Sequence, residues 1–284
     1  LWLLADACSM MLKPSSTNEP FKPYMVMNGK RSSLPEDFQQ QDVVLFSQFA
    51  EEVDDVWLQA RLADLVWLLI DPRSPKHALL AVDAYRQIPL DTETWLRGGR
   101  ECWARAISLA RMLKAGAVGR IQEIETAVVS AFNNAAQEDG YFALWLADLL
   151  ATHRLGHEQC VPIAGKLEAM ARAFDSLGDL HRSRDYFDAA TKWFQQSGNV
   201  GKATEMTACL AEGWVKEAVA RTSSEQPSHM VAASFYENAI QTYRTIPRSE
   251  RAMYRADERM AELHKHLNEA GTKSLGEMGV ITSP

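Results

Sequence analysis

Ala81-Val82-Asp83-Ala84-Tyr85-Arg86-Gln87-Ile88-Pro89 returns near the other end of the chain as Ala239-Ile240-Gln241-Thr242-Tyr243-Arg244-Thr245-Ile246-Pro247. Both stretches read Ala-(Val/Ile)-x-x-Tyr-Arg-x-Ile-Pro. A weaker third copy is Ala189-Ala190-Thr191-Lys192-Trp193-Phe194. Packing explains the pattern. A small residue lets a neighbouring helix approach, and an aromatic four residues on, on the same face, fills the next gap. The closing proline stops the helix and sets the turn into the next one.

Outward from these copies, nearly everything after Pro35 reads as helix. Asp54 to Ile70 places Val56, Trp57, Ala60, Ala63, Val66, Trp67 and Ile70 at three-to-four spacing, and Leu62, Leu65 and Leu68 widen the stripe. Further helices are expected at about 75–88, 93–114, 118–137, 141–153, 160–177, 179–196, 201–222, 228–246 and 248–269. Pro72, Pro75, Pro89, Gly116, Gly119, Gly140, Gly156, Gly178, Gly198, Pro227, Pro247 and Gly271 punctuate them. Composition agrees: 38 Ala and 29 Leu stand against 16 Val and 9 Ile, an excess of strong helix formers. Short connections favour antiparallel helix neighbours.

The stretch 164–197 adds a length argument. Met170, Ala171, Phe174, Gly178, Phe187 and Ala190 fall at the spacings of a repeat of about 34 residues. On these residues the chain resembles the tetratricopeptide family, although Ser183 stands where that pattern prefers Ala and Gln195 where it prefers Pro. Leu210-Ala211, Trp214, Ala232, Tyr236 and Ala239 repeat the order with a longer link. The resemblance covers 160–247 well and the first half loosely. It implies an all-α, right-handed α-solenoid of irregular helical hairpins, about a dozen helices in all. In tetratricopeptide geometry the first helix of each pair would turn Glu168, Arg172, Asp175, Ser176, Glu205, Glu212 and Lys216 towards a concave groove. Those residues are the candidate contacts for a protein or peptide partner.

The expected organisation is an N-terminal helix over 1–12, an irregular loop or arm over 13–35, divergent helical repeats over 36–158, tetratricopeptide-like repeats over 159–271 and a tail or linker over 272–284. The arm holds Pro14, Pro20, Pro23 and Pro35. Within it, Tyr24 to Met27 before Asn28-Gly29 is a hairpin signal, which the polar Lys30-Arg31-Ser32-Ser33 flank weakens. No stretch reaches the ~20 apolar residues of a membrane span. Cys8, Cys102, Cys160 and Cys209 are too scattered for a zinc ribbon or a redox pair, so a reducing, cytoplasmic setting is the expectation.

Few motifs carry chemistry. His153 and His157 share an i, i+4 spacing, but Gly156 interrupts them and no fourth ligand is evident; His181 and Asp185 are explained by a solvated helix face. No metal and no cofactor are expected. Arg97, Arg100, Arg105, Arg111 and Lys114 form a basic run with Trp95 and Trp103. Glu101 intervenes and the net charge is −7, which does not favour a nucleic-acid partner.

Arg259 and His264 have the Arg-to-His spacing of HEPN-type ribonucleases, in which the His would do acid–base work at a phosphate. Met260 replaces the polar residue usual after the Arg. The Trp57–Ile70 helix and the two Ala-to-Pro copies also resemble the helical N-terminal region of bacterial proteins whose C-terminal domain carries an Arg-Asn-x-x-x-His motif. That motif is absent from these 284 residues. The reading is a non-enzymatic helical-repeat module, the recognition or regulatory part of a larger bacterial protein. A fragment of an RNA-acting HEPN ribonuclease or defence toxin using Arg259 and His264 is the alternative, and a homodimer is a further partner to test.

Overall fold

The computed structural model describes residues 25–27, 30–32, 48, 51–70, 75–136, 140–151, 157–224 and 226–277. The expected helix at 1–12, most of the 13–35 arm, the His153–Gly156 stretch and the end of the tail lie outside these residues. Contacts divide the chain into two compact units, 1–134 and 135–284. The boundary falls inside the stretch expected as divergent repeats.

Strand β1 (Met25–Met27) pairs antiparallel with β2 (Lys30–Ser32), Met27 opposite Lys30. The Asn28-Gly29 hairpin signal therefore outweighs its polar flank. Elsewhere the described residues are helices and turns, with ten helices of eleven residues or more among them. In the first unit these are α1 (Val56–Ile70), α2 (Pro75–Tyr85), α3 (Arg100–Met112) and α4 (Val118–Asn134). Each packs on the next: α1 on α2, α2 on α3, α3 on α4.

One expected helix, 93–114, is broken. A single turn, Thr92–Thr94, runs through a π-turn, Trp95–Gly99, into α3. Gly98 takes φ 103°, and a Cβ on Gly99 would lie 2.8 Å from the Thr94 carbonyl oxygen. Only glycine tolerates both demands at low cost, which is why the pair breaks the helix.

The second unit holds α5 (Tyr141–Ala151), α6 (His157–Ser176), α7 (Leu180–Gln196), α8 (Val200–Thr222), α9 (His229–Arg244) and α10 (Ala256–Glu277). From α6 to α10 every helix packs on its successor, and α5 packs on α7. The α6–α7 and α7–α8 turns are one design used twice. Gly178 and Gly198 take φ 76° and 73°. Asp179 N donates to Phe174 O, and Asn199 N to Phe194 O, each at 3.0 Å. Asp179 and Asn199 then cap the next helix, accepting from Arg182 N and Lys202 N at 3.1 Å. The left-handed glycine satisfies the orphan carbonyls of one helix and the Asx side chain the orphan amides of the next.

The expected last helix, 248–269, is displaced. Residues 248–255 form successive three-residue turns ending at Arg255, φ 50°. Helix α10 then runs through Gly271 into the expected tail. Its buried stripe of Ala256, Leu263, Ala270 and Ser274 continues past the glycine, and a Cβ at Gly271 would meet nothing. Packing outweighs the local breaker signal. Among the described residues, no helix is long and apolar enough to cross a membrane.

The tetratricopeptide-type positions pack as a core. Met170, Ala171, Phe174, Phe187 and Ala190 are buried, with Phe174 and Tyr186 rings 5.2 Å apart. Ser183 is 1% exposed, and its hydroxyl has no hydrogen-bond partner. The cost of desolvating that hydroxyl is uncompensated. Ser183→Ala should therefore raise stability by about 1 kcal/mol, with better helix propensity adding to the gain. A fall in the thermal midpoint would contradict this.

Candidate functional site

The two Ala-to-Pro copies end in the same side-chain arrangement. Ala81, Tyr85 and Ile88 are at most 3% exposed, as are Ala239, Tyr243 and Ile246. In the first copy Tyr85 donates to Asp64 Oδ2 on α1 at 3.3 Å. Arg105 of α3 grips the same carboxylate with two bonds, Nε to Oδ2 at 2.6 Å and Nη2 to Oδ1 at 2.7 Å. In the second copy Tyr243 donates to Glu212 Oε1 on α8. Arg259 of α10 grips Glu212 through Nε to Oε1 at 2.8 Å and Nη2 to Oε2 at 2.6 Å. In both, the tyrosine hydroxyl and the arginine Nε converge on one carboxylate oxygen. Each clasp joins three helices: the repeat helix, the one before it and the one after it.

The proline junctions match as well. The Ile88 carbonyl accepts from Trp103 Nε1, and the Ile246 carbonyl from Arg251 Nε, both at 3.1 Å. In each copy a donor side chain thus satisfies a carbonyl two or three residues past the end of the repeat helix. The third copy has Phe194 at the tyrosine position and so lacks a hydroxyl for a clasp.

Burial works against the charge on Arg105, but Asp64 outweighs it and raises the guanidinium pKa further. Burial likewise would push the Glu212 carboxyl up. The hydrogen bonds from Arg259 and Tyr243 win, and it sits below the ordinary glutamate value of 4.5. Cys102, beside the first clasp, is buried, and its thiol is pushed up to about 11. A thiol so protonated at neutral pH is a poor nucleophile.

Of the seven partner-contact candidates, all but Ser176 are already in ion pairs. Arg172 bridges Glu168 on its own helix and Glu205 on α8, at 2.9 and 2.6 Å. Lys202 reaches Glu168 at 3.0 Å, and Lys216 reaches Asp175 at 2.6 Å. Glu212 is taken by Arg259, which also holds Glu262 at 2.7 Å. These ion pairs link α6 to α8 and α8 to α10, while α7 and α9 fill the positions between in sequence. The cations stand over the carboxylates: the Arg172 and Lys216 side chains are 48% and 50% exposed, Glu168 and Asp175 15% and 31%.

Burial would raise the Glu168 carboxyl, but Lys202 and Arg172 hold it below 4.5. Glu168 and Glu212 are therefore depressed in the folded state. Their contribution is fully present above the unfolded value of 4.5 and is lost as pH falls below it through the lower folded values. The protection of α8 amides, corrected for the intrinsic slowing of exchange with falling pH, should stay level down to about pH 5 and decline below about pH 4.5. Protection that rises on acidification would contradict the role of these ion pairs.

The other candidates are not assembled. Arg259 and His264 are five residues apart on α10, about 140° around the helix, and His264 is exposed. His266 lies closer to the Arg259 face but stacks on Tyr236, ring centroids 5.5 Å apart. The basic run disperses: Arg105 is in the first clasp, Trp103 caps α2, and Arg97 pairs with Glu93. His181 lies 3.9 Å from Asp185 as a helix-face pair. No group of three His, Cys, Asp or Glu residues among those described could hold a metal ion.

Sequence reading missed Arg184. Its side chain, 6% exposed, places Cζ 3.5 Å from the Trp214 ring centroid and Nη2 2.9 Å from Glu217 Oε2. A Cβ on Gly213 would be 2.7 Å from Arg184 Cγ, so this glycine makes the room. A glycine mid-helix beside a tryptophan was the available signal.

A family model described as a domain of unknown function, DUF7380, matches residues 1–120. The first clasp lies wholly within that match. No curated protein and no solved structure matches the chain.

Proposed function

We propose that this chain is a non-enzymatic helical-repeat module that binds a protein or peptide partner. It serves as the recognition or regulatory part of a larger, cytoplasmic bacterial protein. The observation that carries the reading is the side-chain linkage of alternate helices. Successive helices pack in order from α6 to α10, yet ion pairs skip one, joining α6 to α8 and α8 to α10. That is what a right-handed tetratricopeptide-like solenoid requires: first helices side by side on one face, second helices behind. The clasp repeated at Tyr85 and Tyr243 supports the same kind of unit in the matched N-terminal region.

The ribonuclease alternative draws less support. Arg259 spends Nε and Nη2 on Glu212 and Nη1 on Glu262, which leaves it committed to carboxylates. Two arms test the proposal on the full chain. Affinity capture from the source cells should recover a partner that Arg172→Glu with Lys216→Glu loses, and the mass of the chain alone should report any homodimer. Incubation with labelled RNA should give no cleavage that Arg259→Ala or His264→Ala removes. Cleavage dependent on Arg259 would overturn the proposal.

A further inference from the structure

We infer that the α9–α10 corner is a docking point for an acidic segment of a partner protein, gripped by Arg244 and Arg248. The inference rests on the protein-binding reading and gives it a partner chemistry and a place. Residues 244–255 hold four arginines, Arg244, Arg248, Arg251 and Arg255, against one carboxylate, Glu250. In a chain of net charge −7 this is a local inversion.

Two of the four have structural work. Arg251 donates Nη2 to the Arg244 carbonyl at 2.8 Å and Nε to the Ile246 carbonyl, closing the end of α9. Arg255 reaches the exposed Glu258 at 2.6 Å. Arg244 and Arg248 are exposed, and among the described residues their side chains form no ion pair. By contrast, every cation of the α6–α8 face is matched to a carboxylate. An incoming acid there must displace an existing partner; at the corner it displaces only water.

The residue type narrows the ligand. A guanidinium presents a planar fork that takes a carboxylate through two parallel hydrogen bonds. Met253, 75% exposed in the next turn after Arg248, offers apolar contact beside such carboxylates. Two guanidiniums neutralise few phosphates, and a nucleic acid would meet the repulsion of the acidic chain.

The experiment is fluorescence anisotropy with the full chain and three labelled probes: a Glu/Asp-rich dodecapeptide, its Gln/Asn counterpart and a dodecameric oligouridylate. The acidic peptide should bind, its neutral counterpart should not, and added salt should weaken binding. Arg244→Gln with Arg248→Gln should raise Kd about tenfold or more, given the strength of charge-assisted hydrogen bonds. Lys at both positions should restore part of the loss, and Lys192→Gln, an exposed cation paired with Asp188 on α7, should change nothing. Both arginines are exposed, and an unchanged circular dichroism spectrum confirms the fold of each variant. No binding of the acidic peptide, equal binding by the Gln variant, or tighter binding of oligouridylate would overturn the inference. Peptide binding lost instead through Arg172→Gln would overturn the corner while leaving the protein-binding reading intact. Arg259-dependent RNA cleavage would sink that reading itself.

Discussion

Asp64→Ala should destabilise the first unit by about 3–5 kcal/mol, the expected cost of breaking a buried ion pair from one side. Asp64 is 5% exposed, and Arg105 grips both its oxygens from α3. Removing the carboxylate strands a guanidinium whose side chain is only 19% exposed, with Tyr85 beside it. Tyr85→Phe gives the contrast. It deletes only a 3.3 Å hydrogen bond and should cost about 1 kcal/mol or less. Removing both charges together, as Asp64→Leu with Arg105→Met, should recover much of the loss because no charge is left buried alone. Exchange rates of α1, α2 and α3 amides read all three variants locally. An Asp64→Ala protein with unchanged exchange in these helices would show that the clasp does not hold them.

Gly213→Val should cost about 2–4 kcal/mol, although glycine in a helix interior is normally a site to improve by about 1 kcal/mol. The branched side chain would enter space that the Arg184 stem fills, where a Cβ alone comes within 2.7 Å of Cγ. Cγ is close to the backbone and has little freedom to yield. Displacing it lifts the guanidinium from the Trp214 face and separates it from Glu217. Burial already pulls the Arg184 pKa below its ordinary value, so any loss of these partners is felt strongly. Combining Gly213→Val with Arg184→Ala should remove the steric part of the cost. A stabilised Gly213→Val protein would refute the packing described for α7 against α8.

The helical class and most helix positions were legible because their signals are local. Apolar spacing and the glycines at 178 and 198 act within a turn or two. Local signals misled where packing outweighed them. Gly271 does not end α10, because the buried stripe carries on to Ser274. The Gly98-Gly99 pair breaks a segment whose apolar spacing reads as one helix.

The clasps were half legible. Ala, Tyr, Ile and Pro recur at fixed spacing, and that marks the repeat. Their charged partners do not recur so regularly. The acid lies 21 residues from the tyrosine in one copy and 31 in the other, and acid and arginine are 41 and 47 residues apart. Unequal links between helices erase the period while the packing keeps the geometry. Sequence reading therefore placed Glu212 in a binding groove, Arg259 in a ribonuclease motif and Arg105 in a basic run. Glu212 and Arg259 prove to be each other's partner, and Arg105 does for Asp64 what Arg259 does for Glu212.

On the proposed reading, Arg259 serves the architecture of the second unit and not a reaction. A double-mutant cycle of Glu212→Ala and Arg259→Ala in the full chain, read by amide exchange in α9 and α10, tests it most directly. The clasp predicts a coupling of about 1.5–3 kcal/mol, with each single variant losing most of what the double variant loses. Coupling below about 0.5 kcal/mol, with Arg259→Ala leaving exchange untouched while abolishing an RNA-cleaving activity, would contradict it.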